Sequence, residues 1–197
     1  ATDVTDDSPA SPRRLVFATG NAHKLAEVAD ILGDRWVLDA LDTAVDETGD
    51  TFEANALLKA HAAVAATGVM AMADDSGIAI DHFDGRPDIH SARWTEESDW
   101  IPRVLRELDG VTGEARSCRY VAAIAVAWPD GRDGVVRGVV EGHIADAPRG
   151  DGGFGYDPIV IPVEGDGRTF GEMTPAQKRA ISHRARALTA ARALLGD

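Results

Sequence analysis

Residues 15–32 read LVFATGNAHKLAEVADIL. A short apolar run, Leu15 to Ala18, meets the turn Thr19-Gly20-Asn21, and beyond it Leu25, Val28, Ala29 and Leu32 recur at helical spacing. The stretch is a strand, a turn and a helix. The turn also has a chemical reading. Free backbone N–H groups at a helix start, with the positive end of the dipole behind them, suit a phosphate, and Lys24 stands one turn in. Taken alone, the signal is weak, since many Gly-Asn turns merely cap helices. The chain lacks the G-x-x-x-x-G-K-[ST] spacing, which argues against a P-loop GTPase or ATPase.

Outward from this unit, Trp36 to Leu41 predicts a second strand and Asp42 to Asp50 an acidic loop. Asp50 and Glu53 have capping-box spacing, and Phe52 to Ala66 forms a helix that Gly68 stops. Val69 to Ala73 and Ile78 to Ile80 read as two strands separated by a tight turn, Asp74-Asp75-Ser76-Gly77. Trp100 to Leu108 predicts a third helix. Arg119 to Trp128 and Val135 to Glu141 form a hairpin about Pro129-Asp130-Gly131. The glycine-rich stretch Pro148 to Pro158 is a shaped loop, closing on Phe154-Gly155-Tyr156-Asp157. Thr174-Pro175-Ala176-Gln177 opens the last helix, with Ile181, Ala185, Leu188 and Leu195 along one stripe; alternatively Ser182 caps a second helix after a break. Strands alternating with helices, plus one hairpin, predict an α/β protein with a mixed sheet.

A chain of 197 residues suits one core, with about 70% of the unfolded surface hidden on folding. Residues 1–12 are polar and acidic and read as a mobile tail, leaving 13–197 as a single domain. Twenty basic against 33 acidic residues leave a net charge of −13, which disfavours a broad grip on nucleic acid. Any anionic ligand must meet a metal or a local group of cations. The lone cysteine, Cys118, makes no internal disulfide and suits a reducing cytoplasm. The longest apolar run, Val121 to Trp128, is far short of the roughly 20 residues that span a bilayer. The start of the chain does not have the pattern of a signal peptide.

Several residues carry possible chemistry. Asn55 and Lys59, four apart, share one face of the second helix. Asp74 and Asp75, with Glu47 in the preceding loop, offer hard oxygen ligands of the kind that suit Mg²⁺. Consecutive strand side chains point to opposite faces, so only one of the two aspartates would look into any given cleft. Lys178, Arg179, His183, Arg184 and Arg186 make the most basic stretch of an acidic chain, a landing place for an anion or a compensation of the helix dipole. No serine elbow, H-E-x-x-H or Cys/His pairing is present.

The segments ATGNAHKLAEV, ETGDTFEANALLKA, ADDSGIAID, SARW, PRGDGGFGYDPIVIP and TPAQKRAISHRARAL, in this order from about residue 15 to 190, resemble the inosine triphosphate pyrophosphatase-like family. Its members hydrolyse non-standard purine nucleoside triphosphates between the α- and β-phosphates, with Mg²⁺ as cofactor. The resemblance implies an elongated mixed β-sheet flanked by helices, two lobes with the active-site cleft between them, and a homodimer. It also implies ITP, dITP and XTP as substrates, with no nucleic acid or membrane partner. Thr19, Gly20, Asn21, Ala22, His23 and Lys24 would hold phosphate. Glu47 and Asp75 would hold the metal, Asp75 would also accept the proton, and Ser76 would touch substrate. Lys24 and Lys59 join Asp75 as catalytic groups, and Asn55 and Arg93 lie near the triphosphate. Phe154, Gly155, Tyr156 and Asp157 would wall the nucleobase, and Lys178, His183 and Arg184 would complete the pocket around base and sugar. A donor such as Arg184 aimed at O6 would meet the amino group of adenine as donor against donor, a mismatch that discriminates by about 10⁴ or more.

This chain departs from the family at Pro87-Asp88-Ile89-His90-Ser91-Ala92-Arg93, where glycine and tyrosine are usual in place of Asp88 and His90. Ser11-Pro12-Arg13-Arg14 is similar to a motif of the related Maf-type nucleotide pyrophosphatases, but it precedes the first strand instead of following it. A Maf-like base specificity is the alternative.

Overall fold

The computed structural model describes residues 11–93 and 100–196. One six-stranded sheet carries the fold. Its strands are β1 (Arg13–Ala18), β2 (Trp36–Leu41), β3 (Ala71–Ile80), β4 (Ser117–Ala127), β5 (Asp133–Ile144) and β6 (Val160–Pro162), in the order β2-β1-β3-β4-β5-β6. β1 runs parallel to β2 and β3; β3, β4, β5 and β6 alternate in direction. The helices are α1 (Ala22–Leu32), α2 (Phe52–Thr67), α3 (Trp100–Glu107), α4 (Pro175–Ile181) and α5 (His183–Leu195). The predicted mixed α/β architecture is the one observed. No helix among the described residues is long and apolar enough to cross a membrane.

Alternation along β1 sets the two faces of the sheet. Leu15 and Phe17 pack with Val28 and Leu32 of α1 and Leu188 and Leu195 of α5. Val16 and Ala18 pack on the other face with Ala56, Ala60 and Ala63 of α2, whose small side chains let the helix lie close. A third core, built on Ile78, Ile80, Val104, Leu108, Tyr120, Ile159 and Phe170, lies further along the long strands. β3 runs from the first two cores, through Met72 and Ala73, to the third, through Ile78 and Ile80. Asp74 to Gly77 occupy the junction between them.

That junction corrects one expectation. Asp74-Asp75-Ser76-Gly77 is not a turn but the middle of a continuous ten-residue strand, paired along its length with β4. Turn-type residues remain extended here because both aspartates are buried and paired with cations, and because Gly77 lies under a neighbouring loop. A Cβ at Gly77 would come within 2.3 Å of Ser91 Oγ. Ser91 in turn accepts from Ile78 N at 2.8 Å and donates to Asp88 O at 2.6 Å. Asp88, the departure from glycine, has φ of 50°, a left-handed conformation that aspartate tolerates better than most residues.

Two helix starts also differ from the simplest reading. Thr51, not Asp50, caps α2, accepting from Ala54 N at 3.1 Å. The C-terminal helical region is two helices: Thr174 and Gln177 form the capping box of α4, and Ser182 caps α5 through Ala185 N. Of the expected tail, residues 1–10 lie outside the described residues, as do residues 94–99.

Candidate functional site

β1 ends at Ala18 beside Ala73 of β3, so the turn that follows opens where β3 carries on into Asp74 and Asp75. Ligands of α/β proteins bind at such carboxyl ends of parallel strands, next to a helix N-terminus. Asn21 caps α1, its Oδ1 accepting from His23 N at 2.9 Å and Lys24 N at 3.2 Å, and Thr19 Oγ1 accepts from Asn21 N at 3.0 Å. Lys24 turns its ammonium to Asp74 Oδ1 at 2.5 Å.

The two aspartates face opposite ways, as strand geometry requires. Asp74 and Ser76 share one face. There Arg184 Nε donates to Asp74 Oδ2 at 3.0 Å, Arg184 Nη2 donates to Ser76 Oγ at 3.0 Å, and Ser76 Oγ donates to Asp74 Oδ1 at 3.0 Å. Burial pushes the Asp74 pKa up, but the charges of Arg184 and Lys24 outweigh it and hold the carboxyl well below the usual range. Asp74 is therefore the counter-ion of two buried cations, with both oxygens committed, and not the free metal ligand that its residue type allowed.

Asp75 faces α2. Lys59 Nζ donates to Asp75 Oδ1 at 3.0 Å and to Glu47 Oε1 at 2.8 Å, so one ammonium bridges two carboxylates from different segments. Burial is the largest influence on Asp75 and raises its pKa despite Lys59. Its Oδ2 is buried without a hydrogen-bond partner among the described residues. Asn55, one turn before Lys59, accepts from Gly49 N at 2.8 Å and so ties down the loop that carries Glu47.

The far wall is held by Asp157. Its Oδ2 accepts from Phe154 N at 2.8 Å and Lys178 Nζ at 2.7 Å, and its Oδ1 accepts from Tyr120 OH at 3.2 Å. Phe154 stacks on His23 with ring centroids 5.2 Å apart, and Lys178 Nζ lies 4.7 Å from the Phe154 centroid. His183 stacks on Tyr120 at 4.5 Å, and its Nδ1 is buried without a partner among the described residues. Burial, reinforced by Arg184 and Lys178, drives the His183 pKa well below its ordinary value, so the ring is neutral.

These groups enclose a cavity of about 340 Å³, within the range of small-molecule sites. It joins Asn21, His23 and Lys24 at the start of α1 to Ser76, to Phe154, Gly155, Tyr156 and Asp157, and to Lys178, His183 and Arg184. Glu47, Asn55, Lys59 and Asp75 do not line it; they form a second group on the opposite face of β3. Lys24 lies close enough to lower the Asp75 pKa while pairing with Asp74, and it links the two groups electrostatically. Thr19 and Gly20 stay in the turn itself, and Ala22 is the first residue of α1. Arg93 ends a short 3-10 helix, Asp88–Arg93, and its side chain lies outside the described residues.

Sequence reasoning missed Glu27, Trp100 and Tyr120. Trp100 and Tyr120 line the cavity, and Glu27 binds both Lys178 and Arg184. Glu27 had one usable signal, its position three residues after Lys24 on the same helical face.

The Ham1 family model matches residues 15–194. The chain is 50% identical over 184 residues to a dITP/XTP pyrophosphatase of Symbiobacterium thermophilum, a match covering 90% of this chain and 92% of that protein. It is 46% identical over 187 residues to a dITP/XTP pyrophosphatase of Geobacillus kaustophilus, covering 90% and 91%. Among solved structures, the Ham1 protein of Staphylococcus aureus superposes with a TM-score of 0.81 at 35% identity, over 93% of this chain and 98% of that one. A nucleoside-triphosphatase described as a dITP/XTP pyrophosphatase, from Mycobacterium abscessus, gives 0.72 at 40% identity, over 90% and 98%.

Proposed function

The chain belongs to the Ham1 family, and on that premise we propose that it hydrolyses ITP, dITP and XTP to the nucleoside monophosphate and pyrophosphate, clearing non-standard purines from the nucleotide pool. One observation carries this reading. A single cavity joins a helix N-terminus fit for phosphate to an aromatic and cationic wall fit for a purine, with Asp75 on the opposite face of β3 beside Lys59 of α2 and Glu47 of the preceding loop.

The residues fit Mg²⁺. Two hard carboxylates, Glu47 and Asp75, share one ammonium, and the buried Asp75 Oδ2 has no partner among the described residues. Those two side chains would hold the ion, which when bound supplies positive charge against the phosphates. The remaining steps belong to the chain. Asn21 and Lys24, with the positive end of the α1 dipole behind them, position the triphosphate and stabilise charge that builds on the departing pyrophosphate. Asp75, its basicity raised by burial, takes the proton from the attacking water. Lys59 keeps Glu47 and Asp75 together, and Phe154 gives the base an aromatic face. The remaining N–H groups of Lys178 and Arg184 select an acceptor at the purine 6-position.

The test is pyrophosphate release from ITP, dITP, XTP, ATP, GTP and dTTP, with Mg²⁺ and with EDTA. Metal-dependent release confined to ITP, dITP and XTP is the expected result. Release from dTTP would replace this reading with a Maf-like specificity, and no release from any substrate would leave a binding protein. The reading also places the enzyme in the cytoplasm as a homodimer, the latter checked by sedimentation.

A further inference from the structure

Glu47 and Asp75 reach the same ammonium from supports of very different stiffness. Asp75 sits in the middle of β3, paired along its length with β4, whereas Glu47 lies within residues 42–49, which belong to no helix or strand. A carboxylate on such a segment keeps one position only if something else sets the chain. α2 does so twice. Lys59 holds the carboxylate itself, donating to Glu47 Oε1 at 2.8 Å. Asn55, one turn earlier on the same face, holds the backbone two residues beyond Glu47, its Oδ1 accepting from Gly49 N at 2.8 Å. This second contact is close as well as polar. A Cβ at Gly49 would stand 2.7 Å from Ala54 Cβ and 2.8 Å from Asn55 Oδ1, so the loop lies against the opening turn of α2 only because residue 49 is glycine. Packing alone does not call for Asn55. It is 1% exposed on a helix whose other buried positions include Ala56, Ala60 and Ala63, and its Nδ2 has no partner among the described residues. An apolar side chain of that size would avoid the cost of an unpaired buried donor, but it could not accept from Gly49 N.

We propose that Asn55 is a positioning residue for the carboxylate pair, fixing through Gly49 where Glu47 stands relative to Asp75 and thereby setting the affinity of the pair for a divalent cation. This rests on the reading of Glu47 and Asp75 as the residues that hold Mg²⁺. A small hard cation demands strict geometry of its oxygen ligands, and a Glu47 free to wander would have to be ordered anew at each binding event. Lys59 cannot supply that order alone, because an incoming cation competes with its ammonium for the same two carboxylates. The bond from Gly49 N to Asn55 holds backbone, not carboxylate, so it survives that exchange. Hydrogen-bonding partners that orient metal ligands typically contribute about 10- to 100-fold in metal affinity.

The experiment titrates Mn²⁺, a paramagnetic stand-in for Mg²⁺, into the nucleotide-free protein and follows the free ion by electron paramagnetic resonance. Wild type is compared with Asn55→Ala, Asn55→Asp, Gly49→Ala and Glu47→Gln, and the KM for dITP at saturating Mg²⁺ is measured beside it. The Kd for Mn²⁺ should rise by about 10- to 100-fold in Asn55→Ala and in Gly49→Ala, a larger effect than either has on KM. Asn55→Asp keeps an acceptor for Gly49 N and loses only the N–H, so it should bind Mn²⁺ as tightly as wild type or more tightly. Gly49→Ala removes no side chain from the site and reports on the loop alone. If Asn55 acted instead by touching substrate through Nδ2, both Asn55 variants would raise KM and Gly49→Ala would bind Mn²⁺ like wild type, which overturns the role. A merely structural role would lower melting temperatures and leave Mn²⁺ affinity as it is, and that result in Asn55→Ala and Gly49→Ala overturns it too. A wild-type protein that takes up no Mn²⁺, or no more than Glu47→Gln, overturns the metal reading of the pair and this role with it.

Discussion

Asp75 is a carboxylate whose pKa burial raises and to which the fold gives less than a full set of partners. One oxygen meets Lys59 and the other is buried alone. Replacing it by Asn removes the proposed base and leaves the shape. Turnover should fall by about 10² to 10⁴-fold, the usual contribution of a positioned general base, in the pyrophosphate-release assay. Thermal stability should hold or rise, because the folded state disfavours the charged form of Asp75 and Lys59 keeps Glu47 as partner. An active Asp75→Asn variant would sink the mechanism. Cys118, by contrast, is fully buried with its thiol pushed up to about 12 by burial, and it acts as a small apolar side chain. Residue type was legible for the proposed chemistry, since Asp75, Glu47, Lys59 and Lys24 stand in recognisable motifs, and the structure brings Glu47, Lys59 and Asp75 together. The partnerships were not: Glu27 and Asp74 acquire their roles from Arg184, which lies 110 positions from Asp74.

At the scale of elements, the position of α5 decides whether His183 and Arg184 reach the cavity. The helix lies directly on β5 at Gly138, where a Cβ would stand 2.1 Å from His183 O and 2.5 Å from Ala187 N. Gly138→Ala should therefore push α5 off the sheet, costing about 1–3 kcal/mol as an overpacked contact, and should raise KM for the substrate before it unfolds the protein. Urea midpoints and KM measured on the same preparation test this; an unchanged KM would show that α5 does not need that contact to present Arg184. The strand of β5 was legible from its Val-rich pattern, and α5 from its stripe and the Ser182 cap. That the two touch backbone to backbone at Gly138 was not legible, because the contact joins segments about 45 positions apart. The reverse error occurred at β3, where Asp-Asp-Ser-Gly has the composition of a turn. Local propensity lost there to ten residues of pairing with β4 and to charge partners on both faces.

For the whole molecule, a net charge of −13 surrounds a small group of buried cations, and pH acts on that contrast. His183 is held neutral by burial and by Arg184 and Lys178, so its folded pKa lies below that of the unfolded chain. Below about pH 6.5 the unfolded state takes up a proton that the folded state refuses, and stability falls by up to about 1.4 kcal/mol per pH unit. Asp74 has its own window: its stabilising contribution is present above the ordinary carboxylate pKa and is lost as pH falls below about 4. The difference in urea stability between wild type and His183→Gln should therefore change between pH 6.5 and 4.5 and be level above pH 7. A difference independent of pH would mean that His183 titrates normally.

By itself the amino-acid sequence determined the α/β class, the first strand–turn–helix unit, the hairpin, the caps of α4 and α5 and the residue types of the site. Each of these is set by periodicity or by chemistry within a few positions. Only the tertiary structure decided that β3 runs unbroken through its two aspartates, that those aspartates serve different groups on opposite faces, and that Glu27 pairs with both Lys178 and Arg184. These depend on burial and on charges brought together from distant parts of the chain, and the energy of a buried charge is set by its partners in space.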